Sequence, residues 1–171
     1  MRNEQEELKI RISGLSNGVH EYHFTASPAA LGLHDAFRTP VSLVAELEKN
    51  TRQIYLKTRI AAGGLFVCDR CLDEFEREIS SRLNLIFVFG ESDAQMFEGD
   101  DVRIIQPETP AIDITDDVRQ SIMLAVPLKL LCVDECSGLC PHCGTNWNKE
   151  SCTCRDNKET DTRWESLKKI L

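Results

Sequence analysis

A chain of 171 residues with 42% hydrophobic content can bury an ordinary core, so its eight cysteines do not compensate for missing apolar material. The formal charge of −8 excludes a protein that coats nucleic acid over its whole surface, because phosphate binding rests on clustered Lys and Arg. No stretch approaches the roughly 18 apolar residues of a membrane helix, and the opening MRNEQEELKI has no apolar run of signal-peptide type. A cytoplasmic location, no membrane partner and reduced thiols are therefore expected.

The first 35 residues offer short strands at Leu8 to Ile12 and Val19 to Phe24, with turn chemistry at Ser16-Asn17-Gly18 between them. His20 and His23 would face opposite sides of a strand, which makes them poor co-ligands, and they read as surface or half-buried imidazoles. Period-two alternation then recurs three times. Val41, Leu43, Ala45 and Leu47 share one parity, Ile54, Leu56, Thr58 and Ile60 the next, and Phe75, Ile79, Leu83, Leu85, Phe87 and Phe89 the third. Half-buried antiparallel strands follow from that period, although SLVAELEK fits a helix as well. Between the second and third runs lies Cys68-Asp69-Arg70-Cys71, which the pattern places at a hairpin tip. Gly63-Gly64 before it signals a bulge or a close backbone approach.

GESDAQMFEGDD, residues 90 to 101, is acidic without a basic residue and reads as a solvated, mobile loop. Residues 102 to 105 return as a short strand, broken by Pro107 and Pro110. A helix follows in DITDDVRQSIMLAVP, N-capped by Asp113 or Thr115, with Asp116 and Asp117 at the positive end of its dipole. Its stripe of Ile114, Val118, Ile122 and Ala125 suits packing on the sheet, with Asp117 and Gln120 off the stripe. Pro127 ends it.

Six cysteines crowd into Cys132 to Cys154, LCVDECSGLCPHCGTNWNKESCTC with its leading leucine. In a reducing compartment such density means metal or catalysis. Cys140 and Cys143 sit in CPHCG, a turn that can aim two sulfurs at one point, and Cys152 and Cys154 form a shorter chelate. Four thiolates suit tetrahedral zinc, and the common iron–sulfur runs are spaced differently. The four remaining thiols, Cys68, Cys71, Cys132 and Cys136, can close a second site, which would make two zinc ions instead of one. Two other readings stay open. Cys68 and Cys71 can be small core residues in a turn, and Cys136 can replace one thiol of the CxC pair. Gly138 and Gly144 permit the backbone turns, Asn146 can hydrogen-bond near the site, and His142 reads as a spacer. No nucleophile–base arrangement stands out, so neither catalytic residues nor a small-molecule substrate are expected. A redox role for CDRC or CPHC would need a helix N-terminus beside one thiol, which the pattern does not provide.

After the thiols, a short amphipathic helix is expected from Asp161 or Thr162 through Trp164, Leu167, Ile170 and Leu171. The expected architecture is α+β. An antiparallel β-sheet body with one packed helix spans 1–130, including the hairpin tip (68–71) and the acidic loop (90–101). Residues 131–171 form a small Cys-rich zinc module plus the short C-terminal helix. Arg70 at the tip, and Arg155, Arg163, Lys168 and Lys169 near the end, are the candidates for contact with RNA or a protein partner.

CDRCLDEFE, DITDDVRQSIMLAVPLKLLC, C-x3-C-SGLCPHCG-x-N and CTC occur here in one order, with a DTRWESLKKI tail. The chain in this respect resembles the bacterial YceD family, the large ribosomal RNA subunit accumulation proteins, from about residue 40 to the end. The resemblance implies a non-enzymatic role in ribosome biogenesis, supporting accumulation of 23S rRNA. It also implies partners in a pre-ribosomal particle, either ribosomal RNA or a basic ribosomal protein that an acidic chain could carry. Some members resemble this chain at the first CxxC and not in the C-terminal cluster, which implies a metal site belonging to one branch.

Overall fold

The computed structural model describes residues 8–97 and 101–155. The chain divides into two compact units, one formed by Met1–Phe66 and Glu76–Leu128, the other by Val67–Phe75 and Lys129–Leu171.

The first unit is built on alternation. Strands β1 (Lys9–Arg11), β2 (Gly18–Ala26), β3 (Val41–Lys49), β4 (Gln53–Val67) and β5 (Glu74–Val88) are followed by a helical turn, α1 (Glu91–Ala94). Strands β6 (Val102–Ile104) and β7 (Ala111–Asp113) and helix α2 (Thr115–Ala125) complete it. β2 to β6 form a five-stranded sheet in sequence order, and β1 pairs with β7 in a separate two-stranded ribbon. In β3 the residues Val41, Leu43, Ala45 and Leu47 are buried, and in β4 so are Ile54, Leu56, Thr58 and Ile60. The antiparallel register sets Leu43 opposite Ile60 and Leu47 opposite Leu56, so one face of the sheet is continuous core. Thr58 keeps its place there because its hydroxyl donates to the Leu83 carbonyl at 3.1 Å. His20 is half-buried and His23 exposed, with His23 beside Glu21 at 2.9 Å.

Five features differ from the sequence expectation. β6 runs parallel to β5, with Ile86 opposite Val102, so the sheet is mixed. The connection over residues 89–101 supplies the dozen or so residues that a parallel crossover needs. Within that acidic segment Glu91–Ala94 forms a helical turn where a loop was expected, with Glu91 and Asp93 in its first turn. β7, too short to show a period, pairs Ile112 with Ile10. Asp117 of α2 is buried instead of facing away from the core, and its carboxylate is held by both terminal nitrogens of Arg103 on β6. Ser121 donates to Ser81 at 3.0 Å, giving the helix a second tie to the sheet. The N-cap residue is Ile114, with Asp113 Oδ1 accepting from the Thr115 N–H. Among the described residues no helix is long and apolar enough to cross a membrane.

The Gly63-Gly64 pair answers to close approach. A Cβ on Gly64 would stand 2.7 Å from the Ala36 carbonyl oxygen, which itself accepts the Leu65 N–H.

Among its described residues the second unit has little regular structure. It comprises the six-residue link between β4 and β5 with its flanks, and the segment from Lys129. An isolated bridge joins Leu139 to Asn146, and Thr153–Arg155 form a single 3-10 turn. The expected C-terminal helix, with Arg163, Lys168 and Lys169, lies outside the described residues, and the side chain of Arg155 does too.

Candidate metal centre

Two CxxC segments in the second unit fold in the same way. In the first, the Leu72 N–H donates to the Cys68 carbonyl at 3.0 Å and the Cys68 N–H donates to the Asp73 carbonyl at 2.9 Å. In the second, the Gly144 N–H donates to the Cys140 carbonyl at 2.9 Å and the Cys140 N–H to the Thr145 carbonyl at 2.8 Å. The residue after each second cysteine has a left-handed backbone, φ 61° at Leu72 and 76° at Gly144. Such a turn points both thiols of the pair to one side, as a chelate requires. Glycine reaches this conformation freely, whereas leucine there costs about 1–2 kcal/mol.

Each turn meets a second pair of cysteines. The sulfurs of Cys68, Cys71, Cys132 and Cys136 all lie within 4.8 Å of one another, and so do those of Cys140, Cys143, Cys152 and Cys154. All eight thiols are free. The Cys68–Cys136 sulfurs are 3.7 Å apart and the Cys71–Cys132 sulfurs 3.6 Å, far beyond the roughly 2.05 Å of a disulfide. A tetrahedron with Zn–S bonds of about 2.3 Å has edges of about 3.8 Å, and the Cys68–Cys136 and Cys71–Cys132 spacings match two opposite edges of it. The donor sets fit a soft, four-coordinate metal. His142 is exposed and belongs to neither set.

The clusters differ in setting. Cys68, Cys71 and Cys136 are buried and pack with Phe75, Leu131, Cys132 and Leu139. In the other cluster only Cys140 is buried and Cys143 is exposed. Bonds to sulfur support both. Asn148 Nδ2 donates to Cys136 Sγ at 3.2 Å, Trp147 Nε1 donates to Cys152 Sγ at 3.3 Å, and the Thr145 hydroxyl lies 3.2 Å from Cys143 Sγ. Partners of this kind orient ligands, and a donor to a thiolate favours its charged form.

The thiol acidities show why four such groups call for a cation. Burial works against ionisation of Cys68, but backbone N–H groups of Cys71, Cys132 and Arg70 outweigh it and bring the thiol down to about 6. The backbone N–H of Asp73 favours the Cys71 thiolate, yet burial and the neighbouring Cys68, Cys132 and Cys136 push Cys71 up to about 12. In the other cluster the Thr145 hydroxyl and N–H lower Cys143 to about 6, and Cys143 with burial raises Cys154 to about 11. One thiol ionises readily in each group and its charge then opposes the next. A divalent ion removes that opposition.

Polar bonds inside the unit link the first turn to the following segment. Asp69 Oδ2 accepts from the Leu130 N–H at 2.6 Å, and the Asp69 N–H donates to the Leu130 carbonyl at 2.8 Å. The Asp73 carboxylate accepts from Asn146 Nδ2 at 2.8 Å and pairs with Lys149 at 2.9 Å, and this lysine holds it below the ordinary carboxylate range. Arg70, singled out for partner contact, donates to the Cys136 carbonyl at 2.7 Å. Asn146 does hydrogen-bond beside the site, accepting from Asn148 as well. Trp147, Asn148, Asp73 and Lys149 carried no sequence signal, since their roles depend on the two turns being adjacent.

Gly138 and Gly144 separate two kinds of glycine requirement. Gly138 has φ 77°, and a Cβ there would stand 3.2 Å from the Arg70 carbonyl oxygen, whereas a Cβ on Gly144 meets nothing within 4 Å. Gly144→Ala is expected to cost about 1 kcal/mol from the backbone alone, and Gly138→Ala distinctly more, in a denaturant titration of the metal-loaded protein. Equal effects would show that the approach to Arg70 is not a constraint.

Residues 57–171, which include all eight cysteines, match the family model described as large ribosomal RNA subunit accumulation protein YceD. The Bacillus subtilis protein YlbN is 28% identical over 134 residues, covering 78% of this chain and 75% of its own length. A Mycobacterium tuberculosis protein, likewise named only as uncharacterised, is 26% identical over 166 residues, covering 94% and 78%. The Arabidopsis thaliana protein named large ribosomal RNA subunit accumulation protein YCED homolog 1, chloroplastic, is 24% identical over 147 residues, 71% of this chain and 46% of that protein. No solved structure matches.

Proposed function

This chain belongs to the YceD family, and we propose that it is a non-enzymatic cytoplasmic factor supporting accumulation of 23S rRNA, with one structural zinc ion in each four-cysteine cluster. The observation that carries this reading is the family match over residues 57–171, whose span contains both thiol clusters. Zinc is favoured by the all-thiolate sets and by sulfur spacings of 3.6 and 3.7 Å. A structural role is supported by the sparse secondary structure among the second unit's described residues, which leaves metal ligation as a main source of their folding free energy. The same gathering of thiols in fours argues against free CxxC pairs in disulfide exchange.

The functional test is the ratio of 23S to 16S rRNA in a strain lacking the gene, restored by the wild-type chain and not by a Cys68→Ser/Cys140→Ser variant. A ratio unchanged by the deletion would overturn the role. Elemental analysis of the purified protein is expected to give two zinc atoms per chain and negligible iron. Insulin reduction by the metal-free protein would replace this reading with a redox one.

A further inference from the structure

The sheet of the first unit has one face outside its core, and charge is unevenly spread across it. Register places His23, Val44 and Arg59 in one row and Thr25, Ser42 and Ala61 in the next. A depression of about 550 Å³ opens there between β3, β4 and β5, lined by Ser42, Val44, Arg59, Ala61, Ser80 and Arg82 among others. None of its lining residues is acidic. Among the described residues neither Arg59 nor Arg82 has an ion-pair or hydrogen-bond partner, although the chain carries a net charge of −8. Two cations lining one depression repel each other. An anion seated between them removes that repulsion.

From this geometry we infer a phosphate-binding site for single-stranded RNA, with Arg59 and Arg82 gripping the phosphodiester backbone. Guanidinium groups match phosphate oxygens in bidentate fashion. The Ser42 hydroxyl adds a neutral donor, and Val44 with Ala61 gives an apolar floor for a sugar or base edge. An adjoining depression shares Ser42 and Ala61, but there Glu76 and Glu78 offset Arg38 and Arg77. The favourable contact is therefore confined to one or two phosphates. The phosphate chemistry stands on the side chains alone, whereas the choice of RNA rests on the proposed role in 23S rRNA accumulation.

The test is fluorescence anisotropy of the full, zinc-loaded chain with a labelled single-stranded oligoribonucleotide across a salt series. Two neutralised phosphates predict a slope of log K against log salt near −1.4, about −0.7 for each. Arg59→Ala/Arg82→Ala is expected to weaken binding about tenfold or more and to flatten the slope. Arg11→Ala/Arg52→Ala, which removes equal charge elsewhere on the unit, should leave both unchanged. Equal losses in the two variants would mean diffuse attraction and overturn the site. Displacement by adenosine monophosphate or by polyglutamate as effective as that by unlabelled RNA would overturn the assignment to RNA. Wild-type binding by Arg59→Ala/Arg82→Ala sinks the groove alone, whereas a normal 23S to 16S ratio after gene deletion sinks the ribosomal role.

Discussion

Replacing Cys136 by serine is expected to abolish binding of the zinc ion proposed for the first cluster and to unfold the second unit. Cys136 is buried in that cluster, and its backbone carbonyl is the acceptor for Arg70. Structural zinc sites bind with about 10–16 kcal/mol, as much as the whole stability of an ordinary domain at about 5–15 kcal/mol. Among the described residues that cluster's core is three buried thiols with only partly buried Phe75, Leu131 and Leu139 around them, little apolar material to offset the loss of that term. Cys143→Ser, at an exposed ligand of the other cluster, should lose one zinc and keep hydrogen-exchange protection in residues 67–75. Elemental analysis with peptide-resolved hydrogen exchange checks both. A Cys136→Ser chain that keeps two zinc atoms and wild-type protection would show that the buried thiols are only packing.

Arg103→Met should destabilise the first unit by about 2 kcal/mol or more in urea unfolding. The substitution leaves the Asp117 carboxylate, whose side chain is 10% exposed, without the guanidinium that now holds both its oxygens. An uncompensated buried charge costs about 3–5 kcal/mol, and the partial exposure of Arg103, at 44%, puts the expectation at the lower end. Arg103→Met/Asp117→Leu should recover most of the loss, because the penalty lies in the orphaned charge and not in the absent pair. A single variant as stable as the wild type would mean that water reaches Asp117 freely.

The long strands were legible because β3 and β4 bury alternate residues over 9 and 15 positions, and β5 keeps most of its buried residues, Ile79, Leu85 and Phe87, on one parity. The ribbon of β1 and β7 was half visible. Three residues in β7 carry no period, and only the pairing of Ile10 with Ile112 reveals them as a strand. Asp117 misled because an acidic residue in the first turn of α2 already has a sufficient local reason in the helix dipole. Its partner comes from β6 and could not be read from the helix. The likeness of the two thiol turns was hidden by Leu72. Glycine after CPHC announces a left-handed residue, whereas leucine after CDRC conceals the same conformation. The cysteine spacing gave the chelating pairs, but which pair joins which depends on backbone contacts between Asp69 and Leu130 that no local pattern encodes.

Cys71 and Cys132, whose sulfurs lie 3.6 Å apart, are separated by 61 positions along the chain. An ion bridging them would close a covalent-like ring of chain that contains β5, α1, β6, β7 and α2, whereas the other cluster closes over only 14 positions from Cys140 to Cys154. Loop entropy makes the wider closure dearer by about 1 kcal/mol and, more importantly, delays it. During synthesis Cys68 and Cys71 emerge first and must wait for Cys136 to leave the exit tunnel, so an N-terminal thiol pair stands open while the body of the chain is made, and a chain truncated before Cys132 cannot shut the large ring at all.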